Sequence, residues 1–400
     1  MTSKISLYSF SFFVFILLAV SCSKQEKTEK EVLKVNKNGI PIMHPLQEKL
    51  PKLTIEYVNE KNYEVSNYFE KTWSENNDNV AFLVAKNGQI IYENYLGYAN
   101  KRTNEMISKD TPLHIASVSK VLTSTAILML VDAQKISLSQ KVKTIIANFP
   151  YPDVTIQTLL NHRSGMKNYA YFTFENDNWD KHKILTNEDI VKVMIEKEIP
   201  LETKTDTRFS YCNTNYAILA LILEKITSLS YPDAMKQMIF DPLGMTNTFV
   251  FDITKDCDRI APSYKGNNTE IGIDYLDGIY GDKNIYSTPR DLLKFDNARY
   301  DAFFLNAELI SKIYKGYSHE SKGTRNYGLG VRMIEWDKGE PFYYHNGWWH
   351  GNTSSFITLR KEKVSIIVLS NKFTKKTYQT KRVASLFGDY PFKLADDGEE

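Results

Sequence analysis

Ser117 and Lys120 stand three residues apart at the head of an apolar stretch, Val121-Leu122 through Leu130-Val131, whose hydrophobic positions recur at helical spacing. That spacing puts a hydroxyl and an amine on one side of a helix start. A helix N-terminus favours developing negative charge, and a lysine amine can take a serine proton when its surroundings disfavour the ammonium. The pattern Ser-x-x-Lys also occurs at Ser21–Lys24 and Ser164–Lys167. The first lies at the end of an N-terminal apolar run, and the second is interrupted by Gly165 with no apolar helix after it, so context selects Ser117.

Two further groups carry chemistry. Tyr211-Cys212-Asn213 immediately precedes an apolar helix starting near Tyr216; in an extended segment Tyr211 and Asn213 share one side while Cys212 turns away. The same Tyr-x-Asn spacing occurs at Tyr57, Tyr92 and Tyr98. His345-Asn346-Gly347 ends the aromatic run Phe342-Tyr343-Tyr344 and leads into Trp348-Trp349; His-x-Gly occurs once in the chain. A glycine there allows a close backbone approach to a ligand, and the Trp348 amide could face a substrate oxygen. Taken singly, Ser117 reads more readily as a helix cap, Lys120 as a solvated helix residue, Tyr211 and Asn213 as core and cap, and His345 as a buried strand histidine.

The three groups in this order resemble the class C beta-lactamase and D-alanyl-D-alanine carboxypeptidase family of serine hydrolases, relatives of enzymes with a Ser-x-x-Lys, Ser-Asp-Asn and Lys-Thr-Gly set. More of the chain agrees between about Val80 and Asn371: Leu159 to Met166, Asp241-Pro242-Leu243-Gly244-Met245, Gly281-Asp282 through Tyr286-Ser287-Thr288, and Tyr327-Gly328-Leu329-Gly330. The resemblance implies a beta-lactamase/transpeptidase-like α/β (α+β) fold and an acyl-enzyme mechanism without metal or organic cofactor. Ser117 would attack a carbonyl, Lys120 and Tyr211 would exchange its proton, and the amides of Ser117 and Trp348 would hold the oxyanion. Asn213 would position the substrate amide or the lysine, and His345 with Gly347 would support the strand side. The substrate would be an ester, a D-amino-acid amide or peptide, or a beta-lactam, small or peptidoglycan-like. His345 stands where lactam-cleaving members carry lysine, and Asn284 where members usually carry glycine. His162 reads as a loop brace. A Ser-His-Asp enzyme with His345 as base fits less well because Gly-x-Ser-x-Gly is absent. The reading from another class is a non-catalytic ligand-binding or sensing lipoprotein that kept the fold.

The elements that must position these residues show strand texture at both chain ends and helices between. Asn87-Gly88 between two apolar runs predicts a hairpin. Segments 327–336, 341–345, 354–360 and 363–370 read as strands, 187–197 and 216–229 as helices, and 375–387 as a closing helix. The simplest architecture is one antiparallel sheet from both chain ends, flanked by helices, with a mainly helical region of about 121–275 inserted. Tyr169 to Trp179 shows neither periodicity and holds five aromatics, which predicts an aromatic wall over the site.

Lys4, an apolar run to Val20 and then Ser21-Cys22 describe an export signal over 1–21 with a lipobox-like cysteine, so Cys22 is the expected lipid attachment point. Residues 22–52 read as a flexible stalk, 53–390 as the hydrolase domain and 391–400 as an acidic tail. The expected location is the bacterial cell envelope, in the periplasm or at the outer membrane. Lys+Arg 50 against Asp+Glu 48 gives a net charge of +2, which argues against nucleic acid as a partner. No protein partner is implied. The three cysteines have no zinc-like spacing, and a Cys212–Cys257 disulfide stays open.

Overall fold

The computed structural model describes residues 35–73, 77–320 and 323–394. The export signal and Cys22 lie outside the described residues. Seven strands form one antiparallel sheet: β1 (Val80–Lys86), β2 (Gln89–Leu96), β3 (Arg325–Tyr327), β4 (Arg332–Ile334), β5 (Phe342–Trp349), β6 (Asn352–Leu359) and β7 (Val364–Ser370), in the order β3-β4-β5-β6-β7-β1-β2. β1 joins the two chain ends by pairing with β7, Phe82 opposite Val368. Its run Val-Ala-Phe-Leu-Val-Ala has no polar alternation because both faces are covered. Val80, Phe82 and Val84 pack with Val65 and Phe69 of helix α1 (Ile55–Thr72), whereas Ala81, Leu83 and Ala85 join the larger core on the other face. Asn87 and Gly88 both have positive φ, 51° and 73°, and close the β1–β2 hairpin as their residue types predict.

The inserted region carries α2 (Ser119–Asp132), α3 (Asn187–Glu196), α4 (Asn213–Thr227) and α5 (Pro289–Ala298), with a small sheet of Leu113–His114, Ile285–Ser287 and Phe249–Val250. α2 is buried from Ser119 to Leu130, so it lies inside the core rather than on its surface. Among the described residues no helix is long and apolar enough to cross a membrane.

Four expectations need correction. The expected stalk of 22–52 does not extend to Lys52: Ile40 and Met43 are buried, the Met43 amide donates to Met238 O at 2.7 Å, and Asn36 Nδ2 reaches Gln237 at 3.1 Å. Isolated apolar anchors in a polar segment leave no periodicity to read. The domain likewise continues past 390, since Phe392 packs on Phe342 at 4.9 Å between ring centroids. The expected strand 327–336 is two, because Gly328–Val331 forms a turn; Gly330 has φ +88°, and a Cβ there would collide with the Ser124 side chain on α2. Finally, the aromatic segment is not one wall: Tyr169 and Phe172 are core residues, while Tyr171 and Phe174 are exposed. Cys212 and Cys257 are both free thiols, the first buried and the second exposed.

Candidate active site

Ser117 sits in a 3-10 turn, Ala116–Val118, that runs straight into α2. Its hydroxyl does not cap the helix; the cap position is Val118, without a side-chain bond. Instead Lys120 Nζ donates to Ser117 Oγ at 3.1 Å and to Asp282 O at 2.8 Å. Lys120 is fully buried, so two oxygens and two aromatic faces surround its amine: Tyr211 at 5.2 Å and Tyr216 at 5.6 Å from Nζ to ring centroid.

The turn before Ser117 is held in a costly conformation. Ala116 has φ +48°, a region L-residues avoid at a cost of roughly 1–3 kcal/mol. Four bonds impose it: the Ala116 amide donates to His114 Nδ1 at 3.0 Å, the Ile115 amide to Ile285 O at 2.9 Å, the Val118 amide to Ile115 O at 3.1 Å, and Ser354 Oγ donates to Ile115 O at 2.6 Å. His114 is in turn fixed by Asn284 Oδ1 at 3.1 Å. Asn284 adopts φ +71°, the conformation its glycine-like place demands. Burial pushes the His114 imidazole down to about 4, so it stays a neutral acceptor.

β5 supplies the opposite side. It pairs with β4 from Phe342 to Tyr344, and among the described residues its edge from His345 to Trp349 has no strand beyond it on that side. That edge lies against the Ser117 turn. A Cβ on Gly347 would sit 2.5 Å from Ile115 O and 3.0 Å from Ala116 Cβ. The glycine therefore admits the nucleophile's own turn, not a ligand as its motif suggested. Gly347 O accepts from Tyr378 at 3.0 Å, and the Trp348 side chain is exposed.

His345 is wholly interior. Its Nδ1 lies 2.9 Å from Asn346 O, which can only accept, so Nδ1 carries the proton and Nε2 accepts from Tyr327 at 3.1 Å. Burial first, then Arg332 and Lys120, hold it well below the usual histidine range. The cation on this side is Arg332, which the sequence reading did not single out: its guanidinium lies 4.4 Å from the Tyr211 ring centroid. The available signal was one arginine in the apolar stretch Leu329 to Ile334, one strand away from His-x-Gly.

Tyr211 and Asn213 straddle the start of α4, which begins at Asn213 rather than near Tyr216. His162 supports them from below: Nδ1 accepts from the Cys212 amide at 3.2 Å and from Asn215 Nδ2 at 3.1 Å, and its ring lies 4.4 Å from that of Tyr211. Asn213 Oδ1 is buried without a hydrogen-bond partner among the described residues. The structure thus brings Ser117, Lys120, Tyr211, His345, Gly347 and Arg332 together from four chain segments.

Among the described residues one group has metal-ligand composition, Asp274, Asp277 and His350, with ligand atoms within 4.8 Å of one another. Asp277 already takes His350 Nε2 at 3.0 Å, Trp349 Nε1 at 2.6 Å and the Asp274 amide at 2.6 Å. The cluster is accounted for as a hydrogen-bonded ion pair.

The beta-lactamase family profile matches residues 65–387. The chain belongs to the beta-lactamase family. A penicillin-binding protein of Bacillus subtilis (strain 168) is 30% identical over 353 residues, covering 82% of this chain and 77% of the relative. A D-aminopeptidase of Cereibacter sphaeroides (strain ATCC 17029 / ATH 2.4.9) is 24% identical over 72% of this chain and 55% of its own length. Among solved structures, a penicillin-binding protein from Bacillus halodurans superposes with a TM-score of 0.69 at 23% identity, covering 80% of this chain and 98% of that one. These matches place the chain in a family of serine hydrolases that share this fold. They also agree with the expected antiparallel sheet and inserted helices.

Proposed function

We propose that this chain opens an amide or ester bond through an acyl-enzyme on Ser117, and that its substrates are D-amino-acid peptides or amides carrying a carboxylate beyond the scissile bond. The observation that carries the first half is the 3.1 Å contact between the fully buried Lys120 amine and the half-buried Ser117 hydroxyl. With the amine neutral, the same contact runs from hydroxyl to amine. Ser117 Oγ then bonds the carbonyl carbon, its proton passes to Nζ, and Tyr211 with Lys120 returns a proton to the departing nitrogen or oxygen. Water attack on the ester reverses the proton path and frees Ser117. The amides of Ser117 and Trp348 are the proposed oxyanion donors, a function served by the bare strand edge after Tyr344.

Two observations support the substrate class. Arg332 is half-buried over the Tyr211 ring, and among the described residues no ion pair joins it to a carboxylate, so a substrate anion would complete it. Asn213 Oδ1 is an unused acceptor for a substrate amide N–H. Relatives named as a penicillin-binding protein and a D-aminopeptidase point the same way. A fluorophosphonate probe on the intact protein tests the nucleophile: an adduct on Ser117 supports the hydrolase, and no adduct favours a ligand-binding protein that kept the fold. A screen of D-peptides, esters and lactams then tests the class, and lactam turnover above D-peptide turnover would overturn it.

We also propose that the protein is exported and lipid-anchored to the cell envelope through Cys22, on the strength of the apolar run and the following charged segment. Detergent partitioning of wild type against Cys22→Ala tests this; equal release of both into the aqueous phase would overturn it.

A further inference from the structure

Lys120 is aimed by more than Ser117. The segment 281–285 is laced along the first turn of α2: Thr123 Oγ1 donates to Gly281 O at 2.7 Å, Lys120 Nζ to Asp282 O at 2.8 Å, and the Ile285 amide to Ser119 Oγ at 3.3 Å. The side chains of Asp282 and Lys283 both turn inward, with exposures of 1% and 2%. Taking two charges out of water costs several kcal/mol per ion, which close and complete pairing must offset. This pair is neither close nor complete. Lys283 Nζ lies 3.9 Å from Asp282 Oδ1, an oxygen that has no hydrogen-bond partner among the described residues. The link runs through Tyr169, which accepts from Lys283 Nζ at 2.9 Å and donates to Asp282 Oδ2 at 2.8 Å. Lys283 also donates to Ile279 O at 3.3 Å and stands 4.6 Å from the Trp349 ring centroid. An apolar trio would have stabilised the fold at least as well, so the charges need another reason.

We propose that Asp282, Lys283 and Tyr169 are positioning residues for Lys120: a buried brace that fixes the carbonyl receiving its amine and sets the charge behind it. The inference rests on Lys120 acting as the base toward Ser117. The brace touches no substrate; it acts through the Asp282 carbonyl and through its field. It also ties Lys120 to the aromatic segment that starts at Tyr169. The charged and titratable groups facing Lys283 are Asp282, Asp277, Asp274, Tyr169, Lys120, His114 and His350. Burial, opposed by Asp282 and Asp277 and reinforced by Lys120, holds Lys283 below the usual lysine range.

The sign of the field gives the test. Removing the Lys283 cation removes a like charge near Lys120 and leaves the Asp282 carboxylate, so the ammonium form of Lys120 is favoured. The acid limb of the rate profile then moves to higher pH. The readout is the second-order rate of Ser117 modification by a fluorophosphonate between pH 5 and 9, on full-length folded protein checked by thermal denaturation. Lys283→Met is expected to move the acid limb upward and to slow labelling about tenfold or more at neutral pH, with Lys283→Arg restoring most of both. Tyr169→Phe deletes one oxygen without changing packing volume, and it should slow labelling to a similar extent if Lys283→Met does not fold. An acid limb that stays in place in folded Lys283→Met, or labelling within twofold of wild type in folded Tyr169→Phe, overturns the proposal. Wild type that takes no probe overturns the hydrolase reading and this one together; labelled wild type with unchanged variants overturns only the brace.

Discussion

The two walls of the site are built by opposite means. On the helical wall, Ser117 and Lys120 belong to one turn, and their contact of 3.1 Å follows from local geometry once α2 forms. On the strand wall, His345, Arg332 and Tyr211 come from three distant segments and meet only because β4 pairs with β5 and α4 starts beneath them. The helical wall keeps a buried primary amine beside the nucleophile. The strand wall keeps a neutral histidine and places its cation on a guanidinium instead. A short motif can therefore specify a nucleophile and its base, whereas the charge that greets a substrate depends on the assembled sheet.

The largest effect should come from breaking the helical wall. Lys120→Ala is expected to lower turnover of a chromogenic ester by about 10²–10⁴, the range of a positioned acid–base group. Tyr211→Phe, which reaches the same proton path from the strand wall, should slow both the acylation burst and later turnover, and the double variant should cost far less than the product of the single losses. Pre-steady-state kinetics would show this. A Tyr211→Phe variant that acylates at the wild-type rate but accumulates acyl-enzyme would confine Tyr211 to deacylation.

Breaking the strand wall calls for Gly347→Val. Its side chain would meet Ile115 O and Ala116 Cβ, so the edge must retreat from the Ser117 turn. Overpacking of this kind costs about 1–3 kcal/mol, and oxyanion support should fall with it by roughly 10²-fold in turnover. Denaturant titration and ester hydrolysis measure the two; wild-type activity in a folded Gly347→Val variant would remove the strand edge from the mechanism. The guanidinium can be tested separately. Arg332→Gln should raise KM about tenfold or more for substrates with a free carboxylate and much less for their methyl esters, and an equal rise for both would mean that Arg332 only shapes Tyr211.

Acid should loosen both walls together. His114, His162 and His345 are fully buried and held neutral, His114 down to about 4 from an ordinary 6.5. In the unfolded chain each would bind a proton as pH falls below 6.5, whereas in the folded chain they do not. Their contribution is complete above pH 6.5 and is lost as pH falls toward 4. Thermal midpoints should decline over that window, and His114→Gln should flatten the decline. A slope identical to wild type would show that other groups govern acid stability.

Two neighbours in the aromatic segment should part company, and the smallest effect belongs to the exposed one. Phe172→Ala removes a core side chain and should cost about 3–5 kcal/mol. Phe174→Ala, at an exposed position, should leave stability within about 0.5 kcal/mol and at most raise KM for apolar acyl groups. Unchanged KM for such substrates would leave Phe174 without a binding role.

The sequence by itself carried whatever depends on neighbours along the chain. The Asn87-Gly88 hairpin, the helix behind Ser117 and the doubly covered β1 all follow from local residue types and periodicity. Motif order was enough for the family and the overall architecture. Other features left no periodic trace. Ile40 and Met43 are single anchors, the turn at Gly330 depends on Ser124 of a distant helix, and Phe172 and Phe174 differ only in what packs against them. Arg332 reads as one charge in an apolar strand until β4 lies beside β5 and brings it over Tyr211. Asp282 and Lys283 carry no sign of burial in the sequence, and it appears only once α2 and Tyr169 enclose them. Burial, long-range charge and steric need for glycine arise from atoms far apart in the chain, so only the tertiary structure decided them.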